Sequence, residues 1–190
     1  VTARQGCLDG RRVWREPVLG DDRVFLRSDE ESHPGFTVDL MLDGSASRLH
    51  CQEVIAARGG FTVINDAYNA SPDSMRASLA TFAATDVAGR RIAVLGDMGE
   101  LGSFAPACHE GVGAAAASHH LDKLICIGEL ARHIAAGAEA AGMDAARISR
   151  ADTVADVLEE LDALLEPGDA VLVKASHFMG LTRIVEGLVN

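Results

Sequence analysis

The sequence predicts an α/β fold: a Rossmann-like, mostly parallel sheet flanked by helices and opened by a β-hairpin. Short apolar runs alternate with helical segments of about 10 to 15 residues, a pattern typical of right-handed βαβ units. The run at 61–64 is rich in β-branched residues, which suit a buried strand. No Gly-x-Gly-x-x-Gly follows any predicted strand, so the pattern does not indicate a nicotinamide dinucleotide site.

The beginning of the chain divides into two parts. Residues 1–48 are mostly polar with Gly and Pro punctuation, and their candidate strands lie at 24–26 and 36–42, so we predict a small irregular or β N-terminal segment. A second unit is predicted at 49–190. It opens with the hairpin, whose two strands, 49–55 and 61–64, flank glycines that can adopt the positive φ of a tight turn.

The remaining elements follow in alternating order. Ser71 is the predicted cap of the first helix and Pro72 its first residue, because the fixed φ of proline suits that position. Asp152 is the predicted cap of a later helix. Further strands are predicted at 89–95, 123–127, 147–149 and 169–174, and helices at 72–84, 105–119, 129–141, 153–165 and 179–189.

Composition limits the classes of function. Apolar residues make up 48% of the chain and aromatic residues only 4%, so a core of Ala, Val, Leu and Ile is expected. The net charge of −11, from 28 acidic and 17 basic residues, argues against nucleic acid and anionic membrane surfaces as partners. The chain shows no membrane-spanning run, no signal-peptide pattern and no metal or redox spacing of its four cysteines. We therefore expect a cytoplasmic protein without membrane insertion.

The polar stretch at 65–75, Asn-Asp-Ala-Tyr-Asn-Ala-Ser-Pro-Asp-Ser-Met, is the main candidate for a binding site. It leads from a buried strand into a helix, and ligands of open α/β sheets bind in the crevice at the carboxyl ends of the strands. Asp66, Tyr68 and Asn69 offer a carboxylate, a phenol and an amide, which suit a ribose or a base better than a phosphate. Turn chemistry alone is the alternative explanation.

A second loop, 96–102, follows the next strand and carries three glycines with the carboxylates of Asp97 and Glu100. These carboxylates could hold a substrate ammonium or help to fix a metal; a solvated Gly-rich loop is the alternative. His109 lies near the start of the next helix, where a neutral imidazole can meet a ligand or bond the backbone.

Lys174 ends a buried apolar strand, and Ser176 and His177 follow it. A lysine in that position is costly to bury unless it faces the crevice beside an anionic partner. We therefore expect Asp66, Asp97 and Lys174 to share one pocket. The alternative is a lysine whose stem lies along apolar surface while its ammonium reaches water.

Four segments occur in an order that resembles the C-terminal domain of the Mur ligase family. They are 65–75, 95–102 (Leu-Gly-Asp-Met-Gly-Glu-Leu-Gly), 109–113 (His-Glu-Gly-Val-Gly) and 172–176 (Leu-Val-Lys-Ala-Ser). The resemblance is strongest to members that use ATP and Mg²⁺ to join D-alanyl-D-alanine to a UDP-muramoyl peptide in peptidoglycan synthesis. It implies that residues 1–48 are a possible remnant of the family's central ATPase domain.

The resemblance also implies roles for the candidate residues. The implied nucleotide contacts are Asp66, Tyr68 and Asn69. The implied substrate contacts are Asp97, Glu100, His109, Lys174, Ser176 and His177. No catalytic residue and no metal ligand is expected in this chain.

The chain departs from the family pattern where Ala175, His177 and Thr182 replace the usual Gly, Arg and Glu. His177 therefore lacks the permanent cation of the usual arginine. The sequence also contains no Gly-x-x-x-x-Gly-Lys-[Ser/Thr] phosphate loop, so these 190 residues alone are expected to be inactive. Two alternatives remain open. A ligase-like binding module without catalysis is favoured by the departures, whereas a folylpolyglutamate synthase-like ligase is disfavoured by the Asp-Met-x-Glu-Leu-Gly motif.

Overall fold

The computed structural model describes residues 12–15, 24–27, 40–42 and 51–189. Three antiparallel strands come first: β1 (Arg12–Arg15), β2 (Val24–Arg27) and β3 (Leu40–Leu42). Both predicted ranges of the N-terminal segment contain a strand, β2 and β3, whereas β1 lies where the sequence predicted none. Its predicted irregular parts lie outside the described residues, and its origin as a remnant of an ATPase domain stays a prediction.

The hairpin that the sequence predicts is confirmed. Strand β4 (Cys51–Ala56) pairs antiparallel with β5 (Thr62–Asp66), and Ile64 of β5 lies opposite Val54 of β4. The other edge of β4 pairs with β3. The hairpin therefore joins the N-terminal strands to the main sheet.

The rest of the chain alternates strands and helices. The strands are β6 (Arg91–Gly96), β7 (Lys123–Ile127), β8 (Ile148–Ala151) and β9 (Ala170–Lys174); the helices are α1 (Pro72–Ala84), α2 (Ala105–Ser118), α3 (Ala131–Ala140), α4 (Val154–Leu164) and α5 (Thr182–Val189). From the hairpin onward the strand order is β4-β5-β9-β6-β7-β8, and every pair after β4–β5 is parallel. The predicted α/β class with a mostly parallel sheet is confirmed. Among the described helices, none is long and apolar enough to cross a bilayer.

The first residues of α1 and α4 test the two predicted helix caps. Ser71 caps α1 as predicted: its hydroxyl accepts from the N–H of Ser74, whose own hydroxyl accepts from the N–H of Ser71. The prediction for α4 is wrong, because Thr153 rather than Asp152 is its cap. A reciprocal cap needs a polar partner three residues later. Thr153 finds that partner in Asp156, whereas the residue three after Asp152 is an alanine.

The closing helix begins later than the predicted residue 179. A short 3₁₀ turn occupies His177–Met179, and Gly180 follows with φ of 62°. This left-handed conformation suits glycine and interrupts the helical path, so α5 starts only at Thr182. The chain after β9 therefore forms a compact bend before the helix.

The helices cover both faces of the sheet. Helices α1, α2 and α3 bury Leu79, Val112 and Ile134 on one face, in a core shared with Leu172 of β9. Helices α4 and α5 bury their apolar residues on the opposite face. Strand β9 thus lies between β5 and β6 but leads to the other face. In the same way, the helix after β7 packs on one face of the sheet and the helix after β8 packs on the other. The sheet therefore has topological switch points beside β9 and between β7 and β8.

The amino edge of the sheet is held by a buried carboxylate. Asp169, just before β9, accepts hydrogen bonds from the backbone N–H of Arg90 at 2.8 Å and from its guanidinium at 2.7 Å. Burial alone would raise the pKa of Asp169, but the bonds from Arg90 outweigh it and lower the pKa. This contact fixes the start of β9 against the start of β6.

Candidate functional site

A buried ion pair lies at the carboxyl edge of the sheet. Asp66 and Lys174 end the parallel neighbours β5 and β9 and are register partners. Their side chains are 3% and 0% exposed, and Lys174 Nζ lies 2.9 Å from Asp66 Oδ2. A buried ammonium is tolerated when an anion lies beside it, and here the parallel register brings the anion to the lysine.

Two residues that the sequence analysis did not single out complete the surroundings of Asp66. Gln52 of β4 donates an Nε2–H to Asp66 Oδ2 at 2.9 Å and another to the Ser78 hydroxyl at 3.1 Å. The hydroxyl of Ser78 in α1 donates to the same Oδ2. The available signal was a polar residue within the buried stripe of α1, which also contains Met75 and Phe82. The carboxylate is therefore hydrogen-bonded from the hairpin and the first helix together.

Lys174 also holds the loop that follows β5. Its Nζ donates to the backbone carbonyl of Asn69 at 2.9 Å. Burial lowers the pKa of Lys174 from its ordinary value, and the charge of Asp66 offsets part of that effect. One ammonium thus joins the strand ends to the polar loop.

The carboxylate of Asp97 caps a helix. Its Oδ1 accepts from the backbone N–H of Ala131, the first residue of α3, at 2.7 Å. Gly128 has φ of +117°, and a Cβ at this position would overlap that carboxylate. The backbone N–H of Asp97 donates to Met179 Sδ at 2.8 Å, and its carbonyl accepts from the N–H of Ser176 at 3.1 Å. The loop after β6 is therefore fastened to the bend after β9.

Ser176 and His109 fix the next two residues of the same loop. The Ser176 hydroxyl accepts from the N–H of Gly99 at 2.9 Å, and His109 Nε2 accepts from the N–H of Met98 at 3.0 Å. His109 is fully buried, and its Nδ1 lies 2.7 Å from the carbonyl of Ala105. Because a backbone N–H only donates, Nε2 must be the acceptor and Nδ1 carries the proton. Burial lowers the pKa of His109, which agrees with a neutral ring.

Four of the predicted site residues are exposed: Tyr68, Asn69, Glu100 and His177. Tyr68 is 62% exposed, and its ring centroid lies 5.1 Å from that of His177 with the planes tilted by 50°. Glu100 is exposed in the loop after β6 and has φ of 61°, a left-handed conformation that is uncommon outside glycine. The surface offered to a ligand here is thus an aromatic pair with a carboxylate in the neighbouring loop.

The structure gathers the predicted residues at one edge of the sheet but gives them different surroundings. Asp66, Lys174 and Ser176 are buried, and Asp97 is half-buried beside Ser176. His109 lies behind the loop rather than in the crevice. Among the described residues, no group of three or more His, Cys, Asp or Glu side chains is placed to hold a metal ion.

Comparison with known proteins gives a family match. A family model described as "Mur ligase, glutamate ligase domain" matches residues 51–177. Two curated relatives share the name UDP-N-acetylmuramoyl-tripeptide–D-alanyl-D-alanine ligase. The one from Bacillus subtilis (strain 168) is 36% identical over 138 residues, with 73% of this chain and 30% of the relative covered. The one from Mycobacterium tuberculosis (strain ATCC 25618 / H37Rv) is 39% identical over 158 residues, with 74% and 31% covered.

The chain therefore spans about a third of the length of the curated relatives it matches. Among solved structures, a MurF ligase from Thermotoga maritima in complex with ADP superimposes with a TM-score of 0.62 at 20% identity. The match covers 94% of this chain and 46% of that chain. At this identity the likeness shows the fold alone.

Replacing Lys174 by Met tests the ion pair. We expect Lys174→Met to lower the free energy of unfolding by about 3 to 5 kcal/mol, because it leaves the buried Asp66 carboxylate without its cation. Adding Asp66→Asn should recover about 2 kcal/mol of that loss, since the two residues are in contact. Urea unfolding of the two single variants and the double variant measures both values. Strictly additive losses would contradict the pairing.

Replacing His109 by Gln tests the buried neutral ring. The folded-state pKa of His109 lies below its ordinary 6.5, so the unfolded chain binds the proton more readily. The stability contributed by the neutral ring is complete above pH 6.5 and is lost as pH falls from there through the folded pKa. We expect the wild type to lose more unfolding free energy than His109→Gln over this range in urea titrations at several pH values. His120→Gln, at an exposed position, is the control. Equal slopes for wild type and His109→Gln would contradict the assignment.

Proposed function

Because the chain belongs to the Mur ligase family, we propose that it is the C-terminal portion of an ATP-dependent ligase. The parent enzyme joins D-alanyl-D-alanine to a UDP-N-acetylmuramoyl tripeptide in this proposal, and this portion closes over the substrate and the nucleotide. The names of the curated relatives support this substrate pair. The observation that carries the proposal is the convergence of two strand-end loops on β9, where Lys174 binds the Asn69 carbonyl and Ser176 binds the Gly99 N–H.

The loop after β5 is the proposed nucleotide side of the site. Tyr68 presents an exposed ring, and a planar base can stack on an aromatic face. Asn69 follows it at the surface and supplies the neighbouring amide. Asp66 is enclosed by Lys174, Gln52 and Ser78, so its proposed part is to position this loop. The ADP in the related Thermotoga maritima structure supports a nucleotide as ligand.

The loop after β6 and the bend after β9 are the proposed substrate side. The carboxylate of Asp97 joins this loop to the start of α3, and His109 binds the N–H of Met98, which makes both positioning residues in the proposal. Glu100 and His177 are exposed and remain available for contact with a substrate. Ser176 fastens the loop through its hydroxyl. A rigid frame with two exposed polar groups suits the orientation of a small peptide.

The proposed reaction forms an amide bond. The terminal carboxylate of the muramoyl tripeptide attacks the γ-phosphorus of ATP, giving an acyl phosphate and ADP. The amine of D-alanyl-D-alanine then attacks the acyl carbon, and phosphate leaves from the tetrahedral intermediate. Magnesium neutralises charge on the transferring phosphoryl group in such reactions. We place the phosphate loop and the metal ligands in a central domain of the parent enzyme. This chain contributes positioning, which can supply much of the rate enhancement.

A ligase-like binding module is the second candidate. It is favoured by His177 and Thr182, which stand where the family usually carries Arg and Glu. A folylpolyglutamate synthase-like ligase is the third, and it would prefer glutamate to the dipeptide.

Both ATP and UDP-linked precursors are found in the cytoplasm, which is the location that the main proposal implies.

Binding of ADP to the isotope-labelled chain tests the nucleotide side. Titration followed by NMR should shift the amide signals of residues 66–70. Tyr68→Ala should weaken ADP binding about tenfold, because stacking on one aromatic ring contributes about 1 to 3 kcal/mol. Phe104→Ala is the matched control, since Phe104 is another exposed aromatic residue outside that loop. Unchanged affinity in Tyr68→Ala, or shifts confined to other loops, would remove the support for this site.

A further inference from the structure

A cavity opens at the carboxyl ends of β7 and β8, on the face covered by α4 and α5. Its volume is about 410 Å³, within the range of small-ligand pockets. Helix α3, which follows β7, packs on one face, whereas α4, which follows β8, packs on the other. The cavity therefore occupies a topological switch point, the position at which open α/β sheets bind ligands.

The cavity shares a wall with the loop after β6. Gly128 and Met179 both line it. Gly128 lies directly against the carboxylate of Asp97, and Met179 Sδ accepts the N–H of Asp97 at 2.8 Å. A ligand in the cavity would therefore lie beside the loop that the proposed function assigns to substrate, on the far side of β9 from the aromatic pair.

The lining combines apolar walls with one cation. Ile127, Val154 and Leu181 supply aliphatic surface, and Arg183 supplies a guanidinium. The lining also contains the carboxylate of Asp152, whose Oδ1 accepts from Arg132 Nη2 at 2.9 Å. Asp152 is therefore paired with Arg132, a cation that is not part of the lining. This combination suits a small zwitterion with methyl side chains and a free carboxylate.

The guanidinium of Arg183 is oriented by the bend after β9. Its Nε donates to the carbonyl of Gly180 at 3.2 Å, and this carbonyl belongs to the residue with left-handed φ. The arginine is exposed, so its charge is not required to hold the core together. An arginine fork matches the two oxygens of a carboxylate and binds it more strongly than a neutral donor does.

We propose that this cavity binds the D-alanyl-D-alanine dipeptide, with Arg183 on its terminal carboxylate and the aliphatic wall against its methyl groups. The proposal rests on the function proposed above and deepens it. It assigns carboxylate recognition to Arg183, six positions after His177, where the sequence lacks the usual cation of the family. The amine of the dipeptide then points toward the Asp97 loop, where the acyl phosphate must be presented.

Titration of the labelled chain with D-alanyl-D-alanine and with its C-terminal amide tests the assignment. The dipeptide should shift the amide signals of Gly128, 153–155 and 181–184, and the C-terminal amide should bind about tenfold more weakly because it lacks the second carboxylate oxygen. Arg183→Met should weaken dipeptide binding by a similar factor and leave binding of the amide unchanged. Arg183→Lys should restore part of the loss. Arg58→Met, at an exposed position in the hairpin turn, is the control and should bind as the wild type does.

Equal affinity of wild type and Arg183→Met for the dipeptide would overturn the proposal, as would shifts outside the cavity or no shifts up to the solubility limit. The ADP titration separates this failure from failure of the proposed function. Shifts at 66–70 with ADP but none with the dipeptide would overturn the Arg183 site alone. The absence of amide shifts with both ligands would overturn both proposals. Tighter binding of glutamate than of the dipeptide would favour the folylpolyglutamate synthase-like alternative.

Discussion

The pairing of one buried lysine with one buried aspartate sets the geometry of the carboxyl edge. Removing the charge of Lys174 from water is unfavourable unless Asp66 stays beside it, so the ends of β5 and β9 are held in one register. The same ammonium binds the Asn69 carbonyl, and the same carboxylate accepts from Gln52 and Ser78. Four separate segments of chain therefore depend on a single ion pair.

Strand β9 is central to the sheet and to both crevices. On one side its Lys174 fixes the polar loop after β5, and on the other its following residues fasten the loop after β6 through Ser176 and Met179. Because β9 leads to the opposite face from its neighbours, the chain bends sharply at Gly180 just past the strand. The aromatic pair and the Arg183 cavity lie before and after that bend. A change in the conformation of the bend would therefore alter both the aromatic pair and the cavity.

Local signals predicted most of the strands and helices from residue 51 onward, but they did not indicate β1. Alternating strand and helix patterns gave the sheet class, and the Ser71-Pro72 start was readable because capping depends on near neighbours. The predicted meeting of Asp66 and Lys174 follows from two strands ending at the same edge. Asp152 is not the cap of α4, because the residue three positions after it is an alanine, which cannot complete a reciprocal cap.

Partners chosen by tertiary packing were beyond the reach of the sequence. Nothing in the hairpin pattern showed that Gln52 would face Asp66, and the burial of His109 depends on how α2 packs behind the loop after β6. Histidine and glutamine also occur at surface positions, so the residue types alone do not predict where the side chains of Gln52 and His109 lie. The predicted contacts of Asp97 and Ser176 with substrate remain predictions, because the structure shows both side chains bonded to backbone N–H groups.

The most direct test of the account uses the fact that the sequence has only two lysines, Lys123 and Lys174. Nitrogen-15 NMR of the side-chain ammonium groups near neutral pH should give a slowly exchanging Lys174 signal, because that group is fully enclosed and bonded to Asp66 and Asn69. Lys123, which is partly exposed, serves as the internal reference. Protection of Lys174 well beyond that of Lys123, lost in Asp66→Asn, is the predicted result. Exchange of Lys174 as fast as that of Lys123 would show that the pair is not buried and would contradict the account.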